Sequence, residues 1–304
     1  MNTTMNTLKA ASIACLVFAS SVGGPNKTRA FAKGGQPNTM HQSATHRIEK
    51  KAAKDFLATT DHLSRLQREQ VIRQWLKHRL VPDFLWQFRE IELHEIIDGK
   101  VYQGSLYVAP EYLALGTDQD FMLIPVNFET IAFMIKEWRY LIPTRKIVDL
   151  IHEQREQRFW ANPLKPGPTM HSNAYYQKHH ALSSQQRLFF PMDTLVSGHK
   201  KDIVLSNRLK RKPHRIAIYG WRSWNDRRIQ PLSIVHGKRY VDYSHGVRLV
   251  HPIMTVNGQE LPVTEVLKDP TLSALISDEG PIHLKALLPE IPKDEWWHHQ
   301  KFVH

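Results

Sequence analysis

Sulfur chemistry is almost missing from this chain. One cysteine, Cys15, occurs in 304 residues. It lies in an N-terminal stretch that has the marks of a secretory signal peptide. Once that stretch is removed, no disulfide, thiolate nucleophile or Cys-x-x-Cys zinc site is left. A glycine-rich phosphate loop and internal repeats are also lacking. Past the N-terminal stretch, no apolar run is long enough for a membrane span in the mature chain. Acid is scarce as well: 29 Asp and Glu face 41 Lys and Arg, a net charge of +12.

What is present is ordinary for a folded protein. Hydrophobic residues make up 41% and aromatic residues 10% of the chain, enough for a large core without disulfide support.

The signal reading covers residues 1–32. Lys9 gives a basic start, "AASIACLVFASSV" (10–22) a short apolar stretch, and Ala30-Phe31-Ala32 a cleavage site, so cleavage is expected near Ala32. The chain is then periplasmic or secreted. A membrane anchor, or a lipoprotein acylated at Cys15, is the alternative reading of the same stretch. Cleavage removes Lys9, Lys27 and Arg29 and no acid, so the mature chain stays basic. For an exported protein this points to anionic or glycan polymers of the cell envelope as partners, and no nucleic acid is expected. A basic surface that binds nothing is the plain alternative.

Residues 33–45 are Gly- and Pro-rich and read as a flexible leader. Residues 46–161 read as an N-terminal region of helices and strands. "HLSRLQREQVIRQWLKHRL" has helical apolar spacing, "EIELHEIIDGKVYQGSLYV" reads as a hairpin turning at Asp98-Gly99, and Asn127 and Thr144 sit where helices start. "NPLKPGPTM" (162–170) is a boundary or a long crossing loop. Residues 171–304 open with a helix and become β-rich, with C-terminal helices. They carry the candidate site, and they share one domain with 46–161 or form a second. Strands grouped between helices predict an α+β fold: N-terminal helices, a mixed or antiparallel β region, central helices, then a second β-rich region.

The chemistry concentrates in "HGKRYVDYSHGVRLVH" (236–251). On a straight strand Asp242, Ser244 and Arg248 would share one face and His245 the other. Gly246 suggests a bulge that re-aims His245 toward Asp242. Two chemistries then fit. His236, Asp242 and His245 could ligate zinc, with His199 and Asp202 as second choices. Or His245 could act as a metal-free acid or base oriented by Asp242, with Arg248 holding an anion. A polar strand with locally bonded histidines is the third reading. Upstream, Trp221 and Trp224 with Arg222 suit a glycan-lined groove, or else one tryptophan is core and the arginines cap a hairpin. "RLKRKPHR" (208–215) reads as a solvated loop or an anionic-polymer contact. "TMHSNAYYQKHH" (169–180) and the tail "WWHHQKFVH" read as structural.

The run "SIVHGKRYVD" followed by Ser244-His245-Gly246 resembles the zinc D-alanyl-D-alanine peptidases of cell-wall metabolism, with one residue fewer between His236 and Asp242 than that family has. The resemblance implies a zinc hydrolase. Ile142-Pro143-Thr144 and Tyr219-Gly220-Trp221 are similar to segments of exported bacterial proteins that bring no activity with them. The expectation is an exported, metal- or His/Asp-dependent hydrolase of a cell-envelope or extracellular polymer. The alternative is a non-enzymatic envelope protein that binds glycan or anionic polymer.

Overall fold

A computed structural model describes residues 50–288. The signal stretch, the leader and the histidine-containing tail lie outside the described residues. Two helices come first, α1 (Ala53–Thr60) and α2 (Arg65–Lys77). Ser64 starts α2 by accepting the Gln67 amide, which satisfies one of the free N–H groups of the first turn.

Strands β1 (Arg89–Ile97) and β2 (Lys100–Val108) form the expected antiparallel hairpin. Asp98 and Gly99 both take positive φ, 49° and 75°, the turn geometry that matches strand twist. Short strands β3 (Ala114–Gly116) and β4 (Phe121–Leu123) pair next. Helix α3 (Phe128–Trp138) starts where Asn127 accepts the Thr130 amide, and α4 (Arg145–Gln154) where Thr144 accepts that of Ile147.

The second half holds β5 (Gln157–Arg158), α5 (Asn173–Arg187), β6 (Val196–Ser197), β7 (Lys201–Ile203), β8 (Ile218–Arg222), β9 (Arg228–Ser233), β10 (His245–Gly246), β11 (Ile253–Val256) and β12 (Gln259–Pro262). Helices α6 (Val263–Lys268) and α7 (Leu284–Leu287) follow. The fold is α+β. Its first sheet has the order β1-β2-β11-β12, so both halves of the chain share it. Gly104 allows that union: a Cβ there would lie 1.9 Å from the Thr255 carbonyl oxygen. The second sheet has the order β10-β7-β8-β9, with β10 parallel to β7. Residues 162–167 form a loop leading into a short 3-10 turn, Pro168–His171, and the Leu164 amide donates to the Tyr243 hydroxyl (2.7 Å). Among the described residues, no helix is long and apolar enough to cross a membrane.

The second sheet positions the polar residues. β7 lies between β8 and β10, so Lys201 and Asp202 are paired on both sides. His199, Lys200, Asp202, Asp242, Ser244, His245 and Arg248 are all buried.

Candidate functional site

The stretch 236–251 is not the strand its alternation suggests. Only His245 and Gly246 pair in a sheet. Residues 242–245 make a tight turn in which the His245 amide donates to the Asp242 carbonyl (3.2 Å). The Asp242 side chain locks it: Oδ1 accepts from the Ser244 amide (2.8 Å) and from Ser244 Oγ (2.6 Å). An aspartate that bonds its own backbone two residues on is a common turn device. The chain is re-aimed at this point, as Gly246 suggested, by a turn rather than a bulge. Gly246 itself is a close approach: a Cβ there would lie 2.7 Å from Tyr112 Cδ1 and 2.8 Å from Lys200 Cβ.

The other oxygen of Asp242, Oδ2, accepts from the Tyr240 hydroxyl (2.9 Å). Neither nitrogen of His245 has a hydrogen-bond partner, so Asp242 does not bond it, and its orienting role in the expected dyad is corrected to an electrostatic one. Burial works against its charge, but the His245 imidazole and the Ser244 bonds hold its carboxyl down at about 2. His245 is fully buried, and neither ring nitrogen has a hydrogen-bond partner. Burial lowers its pKa to about 4 although Asp242 pulls it up. At neutral pH the pair is thus a neutral imidazole near a carboxylate.

Tyr240 and His236 lie beside His245. Their rings stack at 4.0 Å between centroids, and sit 5.7 and 5.8 Å from the His245 ring. Both are partly exposed, whereas His245 is buried. This brings His236, Asp242 and His245 into one neighbourhood. It does not make them a ligand set. Both Asp242 oxygens are engaged, and among the described residues no three His, Cys, Asp or Glu side chains gather as a metal ion requires. The zinc assignment implied by the peptidase likeness does not fit these donors.

His199 and Asp202 lie deeper, joined through Tyr112. The Tyr112 hydroxyl donates to Asp202 Oδ2 (2.9 Å), and its ring meets that of His199 at 5.0 Å. His199 Nε2 is 3.1 Å from Glu111 Oε1, off line for a full hydrogen bond. Arg187 holds the other Glu111 oxygen (2.8 Å). Burial raises Asp202 to about 7 against the pull of Arg248. Glu111 stays far below the usual carboxylate range: burial opposes its charge, and His199 and Arg187 outweigh it. His199 precedes β7 and Asp202 lies within it, and each has its own partner, Glu111 and Tyr112, rather than a shared ligand position.

Arg248 is corrected more fully. It is completely buried, donates to the Ala109 (2.9 Å) and Val196 (2.7 Å) carbonyls, and lies 4.2 Å over the Tyr112 ring. It clamps two chain segments and does not face a substrate anion. Trp221 is also corrected. Only 8% exposed, it donates to the His199 carbonyl (3.2 Å) and carries Lys201 over its ring, so it offers no sugar platform. Arg222 is paired with Asp149 at 3.0 Å. Trp224, 73% exposed, remains open to solvent.

Sequence reasoning missed Lys200. It is 2% exposed, its ammonium donates to the Tyr243 carbonyl (2.6 Å), and burial lowers its pKa to about 7 against Glu111 and Asp242. Its charge also acts on His179, His199 and His245, which among the described residues are the buried histidines whose ring nitrogens have no hydrogen-bond partner. A lysine pair at the start of a strand carries no sign that one member turns inward. Tyr240 was passed over because its partner, Asp242, is identified only by the turn.

No family model matches the chain, and no curated protein or solved structure does either.

Proposed function

We propose that the protein is an exported hydrolase of a cell-envelope or extracellular polymer, working by metal-free acid–base chemistry at His245. The observation that carries this reading is the state of His245: fully buried, neutral, with both nitrogens free, beside an ionised Asp242. A neutral imidazole with a free nitrogen can take a proton from an attacking water and return it to the leaving group. Asp242 stabilises the imidazolium formed between those steps, at a distance and without a direct hydrogen bond. Tyr240 and His236 restrict water around the imidazole, which strengthens that electrostatic support. Lys201, partly exposed and held over Trp221, supplies positive charge for the developing oxyanion.

The test is turnover of purified envelope polymers by the full chain, with products followed by mass spectrometry. Asp242→Asn and His245→Ala should each lose turnover while melting cooperatively. Turnover retained in both variants, or its absence from the unaltered chain on every polymer tried, overturns the reading.

A second reading is a glycan-binding envelope protein without catalysis. Trp224 favours it, because a largely exposed indole is a ready stacking surface for a sugar ring. On that reading Trp224→Ala weakens glycan binding and Asp242→Asn leaves it unchanged.

A further inference from the structure

The 3-10 turn Asn207–Arg211 and the residue after it form one side of a pocket of about 640 Å³. Arg208, Lys210, Arg211 and Lys212 line it, facing Arg145 and Glu279. Five cations against one carboxylate is a strong local imbalance.

The carboxylate offsets only one of the five charges. Glu279 is taken up by the turn: it accepts from Ser206 Oγ (2.9 Å) and from the Asn207 amide (2.7 Å). Arg145 is paired with Asp278, and Arg208 donates to the Leu232 carbonyl (3.1 Å). Lys210, Arg211 and Lys212 are exposed and have no side-chain partner among the described residues. The turn that holds them is pinned. Leu209 is buried in the core, and Ser206 caps the turn by accepting the Arg208 amide (3.2 Å). Three like charges on a fixed turn repel one another, and an anion seated among them relieves that repulsion.

The pocket also has a direction. Ile234 forms part of its wall, two residues before His236. The basic segment runs on beside that chain: the Ile216 amide donates to the His236 carbonyl (3.1 Å) and the Lys238 amide to that of His214 (2.7 Å). The pocket is therefore joined, through its wall and this pairing, to the segment that carries His236.

We infer that this pocket binds a polyanion, a chain bearing repeated phosphate or carboxylate groups, through Lys210, Arg211 and Lys212. Binding stands on the pocket's own charge and geometry. The further statement that the pocket anchors a polymeric substrate for His245 rests on the function proposed above.

The experiment uses the full chain and two labelled probes, inorganic polyphosphate and poly-glutamate of matched length, with fluorescence anisotropy at low and moderate salt. Binding is expected to fall steeply with salt. Replacing Lys210, Arg211 and Lys212 together by alanine should weaken it about tenfold or more. A matched triple, Lys54→Ala, Lys77→Ala and Lys136→Ala, removes the same charge from other exposed sites and should change affinity less than about threefold. Tighter binding of polyphosphate assigns the phosphate class, and tighter binding of poly-glutamate the carboxylate class. Equal weakening by the two triples, or no binding by the unaltered chain at low salt, overturns the inference. His245→Ala separates the two proposals. It should bind the probes like the unaltered chain, so lost turnover with intact binding bears on the hydrolase alone, and intact turnover without binding on the pocket alone.

Discussion

Tyr240 lies flat on His236, with ring planes 5° apart, and from that position its hydroxyl reaches Asp242 Oδ2 at 2.9 Å. One side chain thus lies beside the buried histidine, 5.7 Å between ring centroids, and holds the carboxylate that acts on it. Its two roles are separable because the ring does one and the hydroxyl the other.

Tyr240→Phe should keep the stack and lose the hydrogen bond, lowering stability by about 1 kcal/mol. Tyr240→Ala should lose both and open His245 to solvent. The check is the rate of His245 acylation by diethyl pyrocarbonate, read by mass spectrometry. It should rise in Tyr240→Ala and stay near the original value in Tyr240→Phe. Equal rates in all three proteins would show that Tyr240 does not cover the imidazole.

Acid should destabilise the protein well above the carboxylate range. The His152, His180 and His245 pKa values are lowered to about 4, chiefly by burial. Their unfolded counterparts take up protons near 6.5, so the unfolded state binds more protons and stability falls as pH drops from about 6.5 to 4. For His245 the whole window is worth about 3 kcal/mol. Asp202, raised to about 7, works the other way, since its protonated form favours the fold as pH falls. One aspartate is outweighed by several histidines. Urea denaturation from pH 7.5 to 4 should show the loss, with a shallower slope for His245→Gln.

Lys200 should be a stability liability that weakens in alkali. Its folded pKa, about 7, is below that of an unfolded lysine. Stability is therefore lost as pH falls from about 10.5 to 7 and stays lost below 7. Lys200→Met should melt at a higher temperature than the unaltered chain at pH 6, with the gap narrowing toward pH 10. A gap that widens with pH would reverse the assignment.

Arg248 should behave as scaffold. Arg248→Leu leaves the Ala109 and Val196 carbonyls without their donor, a loss of about 3 kcal/mol for two buried acceptors. Arg248→Lys should rescue little, because one ammonium cannot reproduce the guanidinium fork. Neither change should alter polyanion affinity in molecules that remain folded. A specific loss of affinity would return Arg248 to the ligand site.

Much of the fold is legible in the sequence because its signals are local. Asp98-Gly99 and Asn257-Gly258 are hairpin turns since those residues tolerate positive φ. Asn127 and Thr144 start helices because their short side chains reach an amide three residues on. The crowding of His236, Asp242 and His245 was only partly legible: extended chain of that length reaches about 30 Å, and it is the turn at Asp242 and the stack of Tyr240 on His236 that bring them together.

Other properties depend on partners distant in the chain. Arg248 is a clamp because Ala109 and Val196 meet around it, and Trp221 is covered because the segment 197–201 packs against it. Lys200 is buried because the distant segment 243–246 meets it: its ammonium donates to the Tyr243 carbonyl, and Gly246 packs against its Cβ. By itself the sequence determined the turns, the helix starts, the positive charge and the supply of imidazole and carboxylate. The tertiary structure alone decided which of those groups lost their water. Burial depends on every element packed around a residue, and burial sets both the protonation state of an imidazole and the reach of a charge.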